Sequence, residues 1–584
     1  MSPDGITLNL LTGELQTVLL PGRVERIYQP KKQEIILMIR SSGQNQRLLL
    51  SAKADSASLH LTTQEKKNPL SPPQFCMVLR KYLEGSRLTA IKQVGLDRII
   101  QLTFNRLAGS GEFKDLLLII EIMGKHSNII LVNPESNQII DGIRRYSHAL
   151  SRYREVLPGR PYLSPPAQNK VHPLELNEDR FIELILNNPL DIPLAKVLFS
   201  VIEGLGPVLA REISVRAGLD PILRLEYCGA HELQSLWQVL QDTIFPLLRG
   251  ENSEPTIIFN EKEPTACAPI MLTQYQDFRN VRSETANEML DLFYTAQLDL
   301  NKFQQIRNHL THVIKGELNH RNKKLLNLEQ DMAEANEALK LRMWGDTIFA
   351  HLHRIKPGAQ EVTLPNIYEP EGPHLKIKLS PTMTASQNAQ NFFRKYNKAR
   401  DSLNIIEKNE QKTAAEIRYL NSIKIGLDHA DALSELEEIQ SELEDAGYLH
   451  TKEKKKQKKK AQRKEVPQVK QVISQDGFTI LIGKNNKQND YLTMQLAKND
   501  DYWLHVKDSA GAHVVIKCSP GQDVPPSTLE EAAGLAAYFS DGRLSTKVPV
   551  DCTKRKNVSK PAGAQLGFVI YKNYETFYVA PKAP

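Results

Sequence analysis

The chain has 584 residues, of which 41% are hydrophobic and 24% charged, and a formal net charge of +7. That length is too great for one hydrophobic core and predicts about three to five domains. No apolar run approaches the roughly 18 residues of a membrane span, and no secretory signal is evident, so a cytoplasmic protein is expected. The five cysteines are scattered without a CxxC pair, so neither a disulfide framework nor a metal site is expected.

Charge is distributed unevenly along the sequence. Residues 1–170 carry 23 Lys and Arg against 14 Asp and Glu, whereas residues 171–451 carry 29 against 41. The run Lys452–Lys464 then carries nine basic residues and one Glu. Basic regions on both sides of an acidic middle are typical of a protein that binds RNA or DNA and contains a spacer, although tuning of solubility is an alternative.

Residues 1–170 predict a mixed α/β module. Alternating apolar residues and turn residues indicate one helix and several short strands. The helix is Gln74–Tyr82, and the strands are Gly22–Gln29, Glu34–Arg40, Arg47–Ser51, Ile100–Phe104, Asp115–Met123 and Ile129–Val132. The turn Gly124–Asn128 joins the last two strands.

Residues 173–230 predict helices. Within them, Gly204–Pro207 resembles the hairpin of a helix-hairpin-helix motif. A helix that begins near Pro207 would offer free backbone amides to a phosphate. An ordinary turn between two helices is the alternative.

Residues 283–448 predict a long antiparallel coiled-coil arm. A seam at Phe303, Ile306, Leu310 and Val313 continues, after a phase slip, through Leu325 to Leu339. About sixty residues of helix would extend roughly 90 Å. A returning helix is predicted from Ala385 to Tyr448, after a strand-rich insert at 345–381. A compact helical bundle is the alternative.

The remaining chain predicts a linker and one further module. Residues 449–467 form a basic linker, which either contacts RNA or is simply solvated. Residues 468–584 predict a compact α/β module with strands at Phe478–Gly483 and Ala512–Lys517 and a helix near Ser527–Phe539.

Two long motifs in this module carry a family resemblance. Asp501–Lys517 (DYWLHVKDSAGAHVVIK) and Val550–Pro581 (VDCTKRKNVSKPAGAQLGFVIYKNYETFYVAP) together resemble the C-terminal RNA-binding module of the NFACT family. The resemblance covers essentially the whole chain. It implies a multidomain α+β protein with an N-terminal tRNA-binding module, a helix-hairpin-helix region, the arm and the RNA-binding module.

The N-terminal module of this family is distantly related in fold to formamidopyrimidine DNA glycosylases. Those enzymes use an N-terminal proline and a zinc finger, whereas this chain starts Met1-Ser2-Pro3-Asp4 and has no zinc ligand set. No nucleophile, base and orienting residue stand at recognisable spacing either. A binding protein without catalytic residues, cofactor or metal is therefore expected.

The resemblance assigns candidate tRNA contacts in the N-terminal module. The family's tRNA-contacting Asp-Arg pair matches Asp97-Arg98 in QVGLDRIIQL. Arginine can pair with phosphate or a guanine edge, and aspartate can accept from base amines or a ribose hydroxyl, although a surface ion pair is the alternative. The further candidates, each with a structural alternative, are Glu121, Ile122, Met123, Lys125, Ser127, Asn128, Arg144 and Arg145.

Candidate rRNA contacts fall in the C-terminal module. They are Lys484, Asn485, Trp503, His505, His513, Lys554, Lys556, Asn557 and Lys560. For His505 and His513 a metal or acid-base role lacks a third ligand, and satisfied structural histidines are the alternative. The lysines after Val550 are the better candidates for RNA contact.

The resemblance also implies a function. A bacterial-type member would bind a large ribosomal subunit obstructed by peptidyl-tRNA, with its arm reaching the protein at the stalk base. It would hold an aminoacyl-tRNA, alanyl-tRNA in bacterial relatives, while the ribosome extends the stalled chain without mRNA. The alternatives are a general RNA-binding chaperone of ribosomes without tailing, and the fibronectin-binding surface adhesin of the family's older label, which no export or anchoring signal favours.

Overall fold

The computed structural model describes residues 2–107, 112–149, 151–369, 371–449 and 466–584. The chain divides into two compact units, Met1–Asn301 and Lys302–Pro584. Lys452–Lys464, the core of the predicted basic linker, lies outside the described residues. Across those described ranges, no helix is long and apolar enough to cross a membrane.

The first unit begins with a nine-stranded antiparallel sheet. Its elements are α1 (Gly5–Leu19), β1 (Gly22–Lys31), β2 (Glu34–Ser41), β3 (Gln44–Ser51), β4 (Ser58–Leu61), α2 (Gln74–Leu83), β5 (Arg87–Gln93), β6 (Ile99–Leu107), β7 (Phe113–Glu121), β8 (Asn128–Asn133) and β9 (Gln138–Gly142). The strand order is β4-β3-β2-β1-β5-β6-β7-β8-β9. The strands and the helix predicted in this part are confirmed to within a few residues, whereas α1 was not predicted.

The sheet has two differently covered faces because side chains alternate along each strand. The inner face packs against α1, α2 and the start of a later helix, through residues such as Leu11, Leu79 and Leu102. On the outer face, Ile119 and Ile130 pack beneath the segment that carries Val156. This segment covers the outer face at the β7–β9 end, and the cluster beneath it extends to Ile99 at the start of β6.

Helices and a small sheet complete the first unit. They are α3 (Glu178–Leu186), α4 (Leu194–Val201), α5 (Pro207–Arg216), α6 (Ala230–Leu248), β10 (Thr256–Asn260), β11 (Glu263–Ala268) and β12 (Arg279–Arg282). Phe181, Leu198, Ile213 and Trp237 lie in their common core. The predicted helices between residues 173 and 230 are confirmed, whereas the three strands were not predicted.

The arm is an antiparallel helix pair. Its elements are α7 (Ala286–Leu339), α8 (Leu341–Ala350), β13 (Glu361–Leu364), β14 (Leu375–Lys378), α9 (Ala385–Asp428) and α10 (Leu433–Asp445). Arg307 Nη2 lies 3.3 Å from the Asp428 carbonyl oxygen, and Arg321 Nε lies 2.6 Å from Glu416 Oε2. Since residue numbers rise on α7 as they fall on α9, the antiparallel prediction is confirmed. The prediction of a single returning helix was wrong, because α9 ends at Asp428 and a second helix, α10, follows it.

The C-terminal module is a six-stranded sheet with one long helix. Its elements are β15 (Lys470–Ile473), β16 (Thr479–Gly483), α11 (Asn486–Tyr491), β17 (Tyr502–Val506), β18 (His513–Ile516), α12 (Pro526–Tyr538), β19 (Val548–Lys554), β20 (Val558–Ser559), β21 (Ile570–Tyr571) and β22 (Glu575–Val579). The strand order is β15-β16-β18-β17-β19-β22. Helix α12 covers one face, and Leu492, Trp503 and Val558 form a smaller cluster on the other. The multidomain α+β class is confirmed.

Candidate nucleic-acid interface

The turn between β5 and β6 carries Asp97 and Arg98, and its backbone is held in place by neighbouring side chains. The Leu96 amide donates to Glu203 Oε1 at 2.9 Å, and Gln93 Nε2 donates to the Asp97 carbonyl oxygen at 2.9 Å. Asp97 Oδ1 accepts from the Arg98 amide at 2.7 Å, so this carboxylate fixes the turn. Within the described part of the chain, the Arg98 guanidinium forms no ion pair. The alternative interpretation, a surface ion pair between the Asp97 and Arg98 side chains, is therefore not seen. The Arg98 guanidinium remains available to an anion.

Two residues outside the predicted site lie beside this turn. Lys170 Nζ is 4.2 Å from the ring centroid of Phe199, whose side chain is 37% exposed. Partial burial and the positive charge of Arg98 lower the pKa of Lys170. Two cations and an exposed aromatic ring suit phosphate binding and base stacking. No sequence signal pointed to Lys170 or Phe199, because both are distant in sequence from the turn and belong to no motif.

Glu121 lies in an internal ion pair. Its two oxygens accept from Arg154 Nη1 and Nη2 at 2.6 Å each, and Oε1 also accepts from the Tyr162 hydroxyl at 2.9 Å. Burial alone would lower the pKa of Arg154, but the hydrogen bonds to Glu121 outweigh it and the pKa is raised. The Glu121 side chain is 0% exposed. It therefore has no surface to offer a tRNA, and it ties the covering segment to the sheet.

The turn between β7 and β8 is held from behind by Arg144. Its Nη1 donates to the Lys125 carbonyl oxygen at 2.6 Å and to that of Ser127 at 3.2 Å. Asn128 Nδ2 donates in turn to the Arg144 carbonyl oxygen at 3.0 Å. Ser127 and Asn128 are buried, whereas the Lys125 side chain is exposed. Lys125 is thus the member of this group with a free cation at the surface.

Three further predicted tRNA contacts differ in exposure. Ile122 is fully buried in the sheet core, and Met123 packs partly against the outer cluster. Arg145 is exposed, but it binds Asp141 through two hydrogen bonds of 2.7 Å each. The placement of these three residues fits a role in supporting the β5–β6 and β7–β8 turns better than direct contact with a base.

In the hairpin before α5, one backbone amide is already bound within the protein. The Gly206 amide donates to the buried carboxylate of Asp4, which also accepts from the Thr7 amide at 2.9 Å. Burial raises the pKa of Asp4, and these hydrogen bonds oppose the shift. A Cβ at position 206 would lie 2.7 Å from Asp4 Oδ2, so only glycine fits. This amide is therefore committed to Asp4, the residue that caps α1, whereas phosphate binding at the other amides of α5 stays a prediction.

In the C-terminal module, Lys484 and Asn485 are bound by the acidic helix α10 and the residues just before it. Lys484 Nζ lies 2.8 Å from Glu435 Oε1 and 3.1 Å from Asp431 Oδ1. Asn485 Nδ2 donates to Glu438 Oε2 at 2.7 Å. The Lys484 side chain is 4% exposed. These two predicted rRNA contacts are occupied by carboxylates of the same unit.

The next residue of this turn continues the same interface. Asn486 Nδ2 donates to Glu442 Oε1 and to Ser422 Oγ, each at 2.9 Å. The Tyr419 hydroxyl also donates to Glu442 Oε1, at 2.8 Å. Burial raises the pKa of Glu442, and the hydrogen bonds from Asn486 and Tyr419 oppose the shift. The turn therefore joins the RNA-binding module to the base of the arm.

Trp503, His505 and His513 form an aromatic cluster. Trp503 Nε1 donates to Thr493 Oγ1 at 3.2 Å, and that hydroxyl lies 2.6 Å from His513 Nδ1. An indole can only donate, so the threonine hydroxyl accepts from Trp503 and links it to His513. Burial lowers the pKa of His505 to about 4 and that of His513 well below its usual value. Both rings are neutral near pH 7, which fits the alternative of satisfied structural histidines.

The basic loop after β19 keeps some cations accessible. The Lys556 side chain is exposed, whereas Lys554 is half-buried, with its Nζ 3.6 Å from the ring centroid of Tyr502 and donating to the Asp500 carbonyl oxygen at 3.2 Å. Lys560 instead forms an ion pair with Asp490. Asn557 Nδ2 donates to Thr553 Oγ1 at 3.0 Å, which fixes the loop.

Two lysine–tyrosine pairs outside the predicted site add to this surface. Lys507 lies 5.4 Å from the ring centroid of Tyr574, and Lys547 lies 5.6 Å from that of Tyr578. Tyr574 is 45% exposed and Tyr578 64%. Their only sequence signal was the interleaving of basic and aromatic residues near the end of the chain. Among the described residues, no group of three or more His, Cys, Asp or Glu could hold a metal ion.

Comparison with known proteins covers both units. Residues 4–462 match the family model of the NFACT N-terminal and middle domains, and residues 468–573 match that of the NFACT protein RNA binding domain. The chain is 36% identical over 584 residues to the Rqc2 homolog RqcH of Bacillus subtilis (strain 168), a match that covers 100% of this chain and 98% of the relative.

A second relative and one solved structure are also similar to parts or all of the chain. The Rqc2 homolog RqcH of Streptococcus suis (strain 05ZYH33) is 34% identical over 582 residues, covering 100% of this chain and 98% of the relative. The N-terminal structure of the fibronectin/fibrinogen-binding protein from Streptococcus suis is 30% identical, with a TM-score of 0.41, and the match covers 50% of this chain and 98% of that one.

Proposed function

This chain belongs to the NFACT family, and we propose that it is a ribosome-associated quality control factor. It binds large ribosomal subunits that are obstructed by peptidyl-tRNA and recruits an aminoacyl-tRNA, alanyl-tRNA, for tailing of the stalled nascent chain without mRNA. The identity to RqcH proteins along the whole chain supports this proposal. So does the match of residues 468–573 to an RNA-binding domain.

The Asp97–Arg98 turn is the observation that carries the tRNA part of the proposal. Its backbone is fixed by Gln93 and Glu203, while Arg98 forms no ion pair within the described residues. A rigid turn that presents an uncommitted guanidinium lowers the entropy lost on binding and suits unpaired loop bases and phosphates. Lys170 adds a second cation at the same corner. An anticodon loop is the part of a tRNA that offers such bases.

The protein contributes positioning and no covalent chemistry. Holding the tRNA in place makes its reaction with the peptidyl-tRNA effectively unimolecular, and the peptidyl-transferase centre of the ribosome forms the bond. In this proposal Lys554 and Lys556 bind rRNA, whereas Lys484, Asn485, Trp503, His505 and His513 shape the module behind them. The arm reaches the protein at the stalk base, and the whole process takes place in the cytoplasm.

Sequencing of co-purified RNA tests the proposal. The chain is isolated from its own cells in wild-type form, as Asp97→Ala/Arg98→Ala, and as the control Asp179→Ala/Arg180→Ala. The control removes the same two residue types from an exposed part of α3. We expect large-subunit rRNA in all three samples. Enriched alanine tRNA is expected in wild type and control only, together with C-terminal alanine tails on a stalled reporter protein.

The alternatives give different results. rRNA without any enriched tRNA would favour a general RNA-binding chaperone of ribosomes. Enrichment of another tRNA, with tails of the matching amino acid, would retain tailing and correct its specificity. The absence of RNA from the wild-type sample would overturn both RNA-based functions.

A further inference from the structure

A row of three arginines crosses the outer face of the nine-stranded sheet. Arg40 on β2 lies opposite Arg23 on β1, and Arg23 lies opposite Arg87 on β5. Residues directly opposite each other point to the same face, with Cβ atoms about 5 Å apart, so the row spans roughly 10 Å. All three side chains are exposed. We call Arg23, Arg40 and Arg87 the arginine row.

The arginine row is not neutralised by the protein. Within the described residues, none of its guanidinium groups forms an ion pair or hydrogen bond. Glu25, the nearest acidic residue along β1, is exposed and does not pair with the row either. At the end of the row, Arg87 lies opposite Asn105, and Asn105 Nδ2 donates to Asp115 Oδ1 at 2.8 Å. Like charges on directly opposite strand positions destabilise a sheet, so an anion on this face would relieve their repulsion.

Other arginines of the same unit are paired with carboxylates, unlike the arginine row. Arg145 binds Asp141, Arg154 binds Glu121, and Arg216 binds Glu212 Oε1 at 2.8 Å. The charge of each of these guanidinium groups is already balanced by a carboxylate of the fold. The row therefore differs from them in kind, because its full charge is presented to solvent.

The row is continuous with the corner at Asp97 and Arg98. Lys92 on β5 is exposed and lies opposite Gln101 on β6, on the same outer face. The six residue steps of β5 from Arg87 to Gln93 extend about 20 Å. The polar side chains of Gln101, Thr103 and Asn105 line β6 beside this path. The outer cluster extends to Ile99 at the start of β6, whereas Gln101, Thr103 and Asn105 beyond it remain partly exposed.

We propose that the arginine row binds the sugar–phosphate backbone of a double-helical stem of the tRNA whose loop lies at Asp97–Arg98. This inference rests on the proposed function. A bound RNA stem carries regularly spaced phosphates, and guanidinium groups bind phosphates through paired hydrogen bonds. RNA helices are recognised through backbone and shape, because side chains cannot read their deep and narrow major groove. Contacts of this kind fix the orientation of the RNA without reading its sequence.

The test is a salt titration of the affinity for transcribed alanine tRNA. Arg23→Gln/Arg40→Gln/Arg87→Gln is compared with wild type and with Arg180→Gln/Arg211→Gln/Arg249→Gln, a control that removes three exposed arginines elsewhere in the unit. Each lost phosphate contact should lower the slope of log affinity against log salt by about 0.7 to 0.9, so the row variant should lose about two units of slope. Its affinity at low salt should fall at least about tenfold, and the control should match wild type.

Two further samples separate charge from folding and from sequence reading. A variant with lysine at all three row positions keeps the charge and should retain most of the slope. The glutamine variant should weaken the binding of alanine tRNA and of any other tRNA by the same factor, because backbone contacts carry no sequence information. Unfolding midpoints confirm that the variants fold. If the triple variant does not fold, Arg87→Gln alone should remove one contact, or about 0.7 to 0.9 units of slope.

The results have distinct meanings. A row variant with wild-type affinity and slope would overturn the inference and leave the proposed function intact. Unchanged tRNA binding with weakened binding to isolated large subunits would also overturn it, because the row would then contact rRNA. Wild-type protein that does not bind tRNA at all would overturn the inference and the tRNA part of the proposed function together.

Discussion

Replacement of Glu121 by glutamine distinguishes a tRNA contact from a structural ion pair. The pair is buried, with the Arg154 side chain 8% exposed and that of Glu121 0%. Glutamine preserves the shape but leaves Arg154 charged and without its counter-ion. Removing one partner of a buried pair costs about 3–5 kcal/mol. For a unit of this size that corresponds to a fall in Tm of roughly 6–15 °C.

The assay combines thermal unfolding with tRNA binding measured well below both midpoints. Asp97→Asn is the matched comparison, because Asp97 is only partly buried and its substitution should change Tm by no more than about 2 °C. The double variant Glu121→Leu/Arg154→Met should recover most of the stability lost in Glu121→Gln, since apolar replacement of a whole buried pair is close to neutral. A Glu121→Gln protein that keeps its wild-type Tm but loses tRNA binding would refute the reasoning and place Glu121 in contact with tRNA.

Two other substitutions test buried charges elsewhere in the chain. Lys484→Met leaves Glu435 without its cation, so hydrogen exchange in α10 should become at least about tenfold faster, as a loss of 1.4 kcal/mol or more implies. The control Lys556→Met, at an exposed site, should leave the exchange rate of α10 unchanged. Equal exchange rates in the two variants would contradict the interface between Lys484 and α10. Burial lowers the pKa of His60 to about 4, so the unfolded chain takes up a proton that the folded chain does not as the pH falls below about 6.5. Stability present above that pH is lost on acidification, by about 2 kcal/mol between pH 7 and pH 5. Chemical denaturation should show a correspondingly flatter pH profile for His60→Phe, and parallel profiles would contradict this assignment.

Local periodicity was sufficient to predict much of the fold. Strands such as β2 and helices such as α2 and α7 follow clear apolar patterns, and these were predicted correctly. Leu8, Leu11, Leu15 and Leu19 also have helical spacing, so the unpredicted helix α1 did have a sequence signal. The break between α9 and α10 had only a weak signal, Gly426, which lies two residues before the end of α9.

The site was harder to predict because burial depends on distant residues. Asp97 and Glu121 are both acidic residues beside apolar strands, and the sequence offers no means of separating them. The partner that buries Glu121 lies 33 residues away along the chain. Lys484 presents the same difficulty, because the acidic helix that binds it precedes it by about fifty residues.

Pairing with carboxylates therefore divides the basic residues of this protein by role. Arg145, Arg154 and Lys484 have their charge satisfied within the fold, so binding RNA would first require breaking an existing ion pair. Arg98 and the arginine row form no ion pair within the described residues, so RNA binding there would not first require breaking one. Release of those ions favours RNA binding at low salt. The unpaired basic residues, several of them outside every motif, should thus dominate the affinity for RNA, while the paired ones determine where the unpaired ones are held.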